Sequence, residues 1–95
     1  MRVYISGPIT GVEDYKDKFL KAAEFLSKRG YDVINPTVID GIFPDLEYEE
    51  YMKLDIALLD LSDAIYMMNG WEKSCGARRE YGYALAAGKQ IMMEA

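Results

Sequence analysis

The chain has 95 residues, 51% of them hydrophobic, including eight Tyr, three Phe and one Trp. This argues for one ordered domain, excludes a two-domain enzyme, and makes a large substrate-enclosing cavity hard to build from one copy. Sixteen acidic and eleven basic residues give a formal charge of −5, which argues against binding polymeric nucleic acid. There is no histidine and one cysteine, Cys75, so neither a zinc site nor an intrachain disulfide is expected, and no metal or cofactor. No apolar stretch approaches the roughly 20 residues of a membrane span, and the start shows no leader pattern. A cytoplasmic protein without membrane contact is expected. Without histidine, acid–base chemistry must fall to carboxylates, tyrosines or lysines.

In chain order, Arg2–Ser6 is short, β-branched and aromatic, and reads as a buried strand. The glycine-bounded turn Gly7–Gly11 follows. A helix is predicted from about Glu13 to Arg29, with Tyr15, Phe19, Ala22, Ala23 and Leu26 on one face and Gly30 as its stop. Tyr31–Ile34 is a second strand, and Asn35-Pro36 opens a long connection to about Leu46. A second helix is predicted from about Glu47 to Leu61, with Ser62 and Asp63 suited to its end. Ala64–Met68 is a continuous apolar run, as in a strand covered on both faces. The loop Asn69–Ser74, a helix from Cys75 to about Ala87 closed by Gly88, and the strand Lys89–Met93 complete the chain.

Strands separated by helices of this length cannot pair as hairpins. The expected fold is therefore α/β: a small doubly wound parallel sheet of about four strands, a flavodoxin- or Rossmann-like three-layer sandwich. In such sheets a ligand sits outside the carboxyl ends of the strands. The loops there are Gly7–Gly11, Asn35–Leu46 and Asn69–Ser74.

Two carboxylates break the helix patterns. In the second helix Tyr48, Tyr51, Met52 and Leu59 form the apolar stripe, and Asp55 lies near its middle. Such a carboxylate is costly unless it is bonded or used; a structural and a functional Asp fit equally. Asp60 projects away, as a surface charge. In the third helix Ala77, Tyr81, Ala84, Leu85 and Gly88 form the packing face, with Glu80 on its shoulder. The nearby helix N-terminus would favour an ionised carboxylate, which suits a nucleophile, although an exposed helix Glu fits the same pattern. The turn after the first strand sits where a phosphate or ribose cradle would, but it lacks P-loop and GxGxxG wording. Charge is uneven. Tyr31–Asp63 holds nine acids and one base, whereas Trp71–Lys89 holds four bases and two acids. Ser74 and the following amides, with Lys73 or Arg78 nearby, could hold a small anion, while Arg79 projects outward. Trp71 could stack on a base or anchor a core.

These residues together resemble a known family. Tyr4-Ile5-Ser6-Gly7-Pro8-Ile9-Thr10-Gly11 resembles the opening of the nucleoside 2-deoxyribosyltransferase superfamily. Gly76-Ala77-Arg78-Arg79-Glu80-Tyr81-Gly82-Tyr83-Ala84 followed by Gly88-Lys89 resembles its G-x-x-x-E-x-G-x-A…G-K signature. Asp55 and Asp63-Ala64-Ile65 are spaced like its conserved aspartate and following strand start. The wording Gly70-Trp71-Glu72-x-Ser74-x-Gly76-Ala77 is most similar to a small branch common in phages and bacteria. The resemblance implies that Glu80 attacks the anomeric carbon of a nucleoside and forms a glycosyl ester, resolved by a second base or by water, as in retaining glycosidases. It implies that Asp55 contacts the nucleophile or departing base and helps manage its proton. Ser74, where nucleoside-transferring members have Asp, implies a 5′-monophosphate ligand, with Lys73 and Arg78 assisting. Gly7, Pro8, Ile9, Gly11 and Gly76 would carry sugar or phosphate contacts, and Tyr4 and Trp71 would wall the base. The alternative is a non-catalytic nucleotide-binding module, a sensor or scavenger. Members of the superfamily usually continue beyond the last strand seen here. A homodimer or higher homo-oligomer is therefore expected to supply burial and a pocket wall.

Overall fold

The computed structural model describes all residues from Met1 to Ala95. Its elements are β1 (Arg2–Ser6), α1 (Tyr15–Lys28), β2 (Asp32–Ile34), α2 (Ile39–Ile42), α3 (Tyr48–Asp60), β3 (Ala64–Met67), α4 (Cys75–Ala86) and β4 (Gln90–Met93). The sheet is four-stranded and parallel, ordered β2-β1-β3-β4. This is the predicted α/β architecture.

Strand alternation sorts the core into two layers. Val3 and Ile5 of β1 join Ala64, Tyr66 and Met68 in packing on Phe19, Ala22 and Leu26 of α1. Tyr4, with Ile65 and Met67 of β3, packs on Leu59 of α3 and on Ala77 and Ala84 of α4. Helices thus cover both faces, and the central strands β1 and β3 are buried along nearly their whole length. From β1 the chain crosses to β2 on one side, and from β3 to β4 on the other. Connections leaving neighbouring strands in opposite directions open a crevice at their carboxyl ends.

The connection from Asn35 to Leu46 is more ordered than predicted. Asn35 Oδ1 accepts hydrogen bonds from the Thr37 amide at 3.1 Å and the Thr37 hydroxyl at 2.8 Å, which starts a helical turn at Pro36–Val38 that runs into α2. Proline suits such a first position, whereas Gly41 inside α2 hid the helix from a reading by propensity. Leu85 differs in the other direction. It is 53% exposed, because the buried line of α4 runs through Ala77, Glu80 and Ala84.

The two central strands approach closely just beyond their ends. The Met68 amide donates to the Ser6 carbonyl at 2.8 Å, and a Cβ on Gly7 would stand 2.9 Å from that of Met68. Glycine is therefore needed at position 7 for space. Gly82, exposed on α4, has open space around it. Opposite responses are expected in urea titrations. Gly7→Ala should lose about 1–3 kcal/mol through overpacking, and Gly82→Ala should gain about 0.5–1 kcal/mol through helix propensity.

Candidate functional site

At the carboxyl ends of β1 and β3 lies an open cleft of about 1080 Å³, beyond the roughly 300–1,000 Å³ usual for ligand pockets. One copy of this short chain thus builds a sizeable cleft, although not an enclosed cavity. Its walls come from the turn after β1, the start of α1, the α2 connection, one face of α3, and the residues around the N-terminus of α4.

Glu80 is set into this cleft by α4. That helix starts at Ser74, whose Oγ accepts from the Ala77 amide at 3.2 Å, a standard N-cap. Gly76 lets α4 sit close to α3, since a Cβ there would lie 3.3 Å from Tyr48 Oη and 3.4 Å from Met52 Sδ. Glu80 is only 6% exposed, yet it lines the cleft. The Tyr4 hydroxyl donates to Oε2 at 2.6 Å and the Ser6 hydroxyl to Oε1 at 2.6 Å. Both donors stand two residues apart on β1 and so share one sheet face.

Burial raises both carboxylates, and they differ in that only Glu80 has hydrogen bonds opposing the shift. Burial pushes the Glu80 carboxyl above its usual range, while the hydroxyls of Ser6 and Tyr4 favour its charged form. The helix N-terminus anticipated as its support is too far away, because Glu80 is the sixth residue of α4 and the dipole effect fades after the first turn. Tyr4 is pushed well above the ordinary phenol range, first by burial and then by Glu80 and Asp55; it stays a neutral donor. Asp55 is raised to about 7, first by burial and then by the charges of Glu80 and Asp40. Each of these influences favours its protonated form.

The structure brings Asp55, Glu80, Gly7, Pro8, Ile9, Lys73, Ser74 and Gly76 to one cleft. It does not bring Gly11, Trp71 or Arg78 there. Gly11 has φ +79° in the turn before α1, a backbone conformation that favours glycine. Trp71 packs its ring on Tyr81 with centroids 4.6 Å apart and against the core layer of α3 and α4. Arg78 is exposed on α4. Tyr4 is fully buried behind Glu80, so it does not form a wall of the cleft. The sequence reading missed Ser6, Lys18 and Asp40 as members of the site, and took Tyr15, Tyr48 and Tyr51 as apolar packing. All but Ser6 line the cleft. Period two from Tyr4 would have found Ser6, and the three-to-four-residue spacing with Asp55 would have turned Tyr48 and Tyr51 towards the site.

A family model described as Domain of unknown function (DUF4406) matches residues 1–93. The chain belongs to the DUF4406 family. Among the curated proteins none matches its sequence. Among solved structures, this DUF4406 chain is similar to a 2-deoxyribosyltransferase from Bacillus psychrosaccharolyticus, with TM-score 0.76 and 21% identity over 98% of this chain and 71% of that one. It is also similar to a 2-deoxyribosyltransferase from Leishmania mexicana, with TM-score 0.70 and 28% identity over 97% of this chain and 62% of that one. A CMP N-glycosidase from Clostridium botulinum matches with TM-score 0.65 and 24% identity over 98% of this chain and 67% of that one. The DUF4406 chain thus has the fold of the nucleoside 2-deoxyribosyltransferase-like superfamily. No helix in it is long and apolar enough to cross a membrane.

Asp55 makes a stability prediction. Its folded-state pKa of about 7 lies above the ordinary 3.8, so the folded chain holds this proton more tightly than the unfolded one. Stability from this group falls as pH rises from about 4 through 7. Asp55→Asn removes that penalty. It should stabilise the DUF4406 chain at pH 8 by about 1–2 kcal/mol, the full shift being discounted for partial exposure. It should change little at pH 4. Thermal melts at the two pH values check this.

Proposed function

We propose that this chain cleaves or transfers at the N-glycosidic bond of a nucleoside or nucleoside 5′-monophosphate, with Glu80 as nucleophile and Asp55 as proton donor. The observation that carries the reading is the Glu80 carboxylate, nearly excluded from solvent yet open to the cleft, with one hydroxyl on each oxygen. Two neighbouring carboxylates of unlike environment divide acid and nucleophile roles. A Glu80 oxygen bonds to the anomeric carbon as the bond from that carbon to the base nitrogen breaks. The electron pair leaves with the base, which takes the Asp55 proton. Water or a second base then attacks the anomeric carbon, Asp55 removes its proton, and Glu80 is released.

The similarity to transferases and to a nucleotide N-glycosidase supports glycosyl chemistry of this kind. The cleft's two cations, Lys18 and Lys73, suit a 5′-phosphate, with Lys18 taking the place first assigned to Arg78. Ser74 uses its oxygen as the acceptor of the capping bond, which leaves its O–H to donate to such a phosphate.

Incubation with a panel of nucleosides and 5′-monophosphates should release free base, read by chromatography. Glu80→Ala should lower that release by about 10³-fold or more, and intact mass should find the glycosyl adduct only when Glu80 is present. Binding without release, unaffected by Glu80→Ala, would instead mark a non-catalytic nucleotide-binding module. Tyr4→Phe removes one donor that favours ionised Glu80. The acidic limb of the pH–rate profile should then move upward.

A further inference from the structure

One group lining the cleft has no part in the proposed reaction. Asp40, on α2, faces the same cleft as Asp55 and Glu80. Its Oδ2 accepts the Tyr15 hydroxyl at 2.7 Å, a bond that ties α2 to the first turn of α1 across 25 residues of sequence. Tyr51, from α3, also lines the cleft and has its own hydroxyl held by the Phe43 carbonyl. The carboxylate is therefore fixed on one oxygen, in a cleft that Tyr15 and Tyr51 also line.

The position of Asp40 follows from its neighbours. Asp55 feels the charges of both Glu80 and Asp40, and no group of three acidic side chains stands close enough to hold a metal ion. All three carboxylates line the cleft, and Asp55 lies within reach of the charges of the other two. In the reaction proposed above the sugar sits at Glu80 and the leaving nitrogen at Asp55, which leaves Asp40 as the third carboxylate of the cleft to meet the base.

We propose that Asp40, oriented by Tyr15, reads the base and selects one carrying an exocyclic amino group, as cytosine and adenine do, over its oxo counterpart. This rests on the reaction proposed above. With Oδ2 occupied, Oδ1 is left as an anionic acceptor with no hydrogen to give. An amino N–H satisfies it. A carbonyl at the same place on uracil or hypoxanthine meets it lone pair to lone pair, and leaves both groups without a donor.

Binding tests this apart from catalysis. In the Glu80→Gln variant, dissociation constants are measured by calorimetry for cytidine, uridine, adenosine and inosine 5′-monophosphates. The amino member of each pair should bind about 10- to 100-fold more tightly. Asp40→Asn keeps a carbonyl for Tyr15 and turns an amide donor to the base, so the ranking should collapse or invert. Tyr15→Phe should weaken the discrimination with the melting transition retained, which keeps the test open if Asp40→Asn does not fold. Equal binding within each pair, or a preference unchanged by Asp40→Asn, overturns the assignment while leaving the reaction standing. The expected ranking without base release by the unmodified protein upholds Asp40 as reader and removes the catalytic reading. No binding of any of the four overturns both.

Discussion

The site depends on holding a carboxylate where water is nearly excluded. An isolated charge in such a place would neutralise itself or unfold the region. The two hydroxyls from β1 oppose that, since Tyr4 and Ser6 each bond one oxygen of Glu80 at 2.6 Å, although burial still holds its carboxyl above the usual range. Everything around this group serves the meeting of one strand with one helix. Small residues at Gly76, Ala77 and Ala84 bring α4 down onto the sheet and against α3. Gly7 lets the chain leave β1 beside Met68 without a steric clash. The crevice between the outgoing connections opens the carboxylate to the cleft.

Asp55 shows the cost of such an arrangement. A leucine in its place would pack into the face of α3 with Met52 and Leu59. Instead the helix carries a carboxyl whose surroundings all disfavour its charge. That is destabilising above neutral pH, and it is what suits the group to the proton-donor role proposed for it. Stability and proposed activity therefore pull on this residue in opposite directions, a pattern common to active sites.

Much of this was legible in the sequence. Helices between short apolar strands implied a parallel sheet, the loops at its carboxyl end followed from that order, and Asp55 and Glu80 stood out as acids that break the helix patterns. What could not be read was how side chains are shared between site and core. Trp71 and Tyr4 were both expected as walls for a base. The first stacks on Tyr81 instead, and the second lies behind Glu80, because burial of an aromatic ring depends on tertiary neighbours that local pattern does not contain. Tyr48 and Tyr51 had the spacing of a core stripe, yet only Met52 and Leu59 on that helix are buried. Asp40 and Lys18 were invisible because their relevance comes from the α2 connection folding back over α1.

The alternation of β1 has a wider meaning for this chain. Val3 and Ile5 serve the α1 layer, and Tyr4 and Ser6 serve Glu80. A slip of one residue in strand pairing would exchange the two sets. It would set Glu80 against hydrocarbon and drive two hydroxyls into the apolar layer. A misregistered chain would lose its core and the seat of Glu80 together, so this buried carboxylate also proofreads the folding of the strand that supports it.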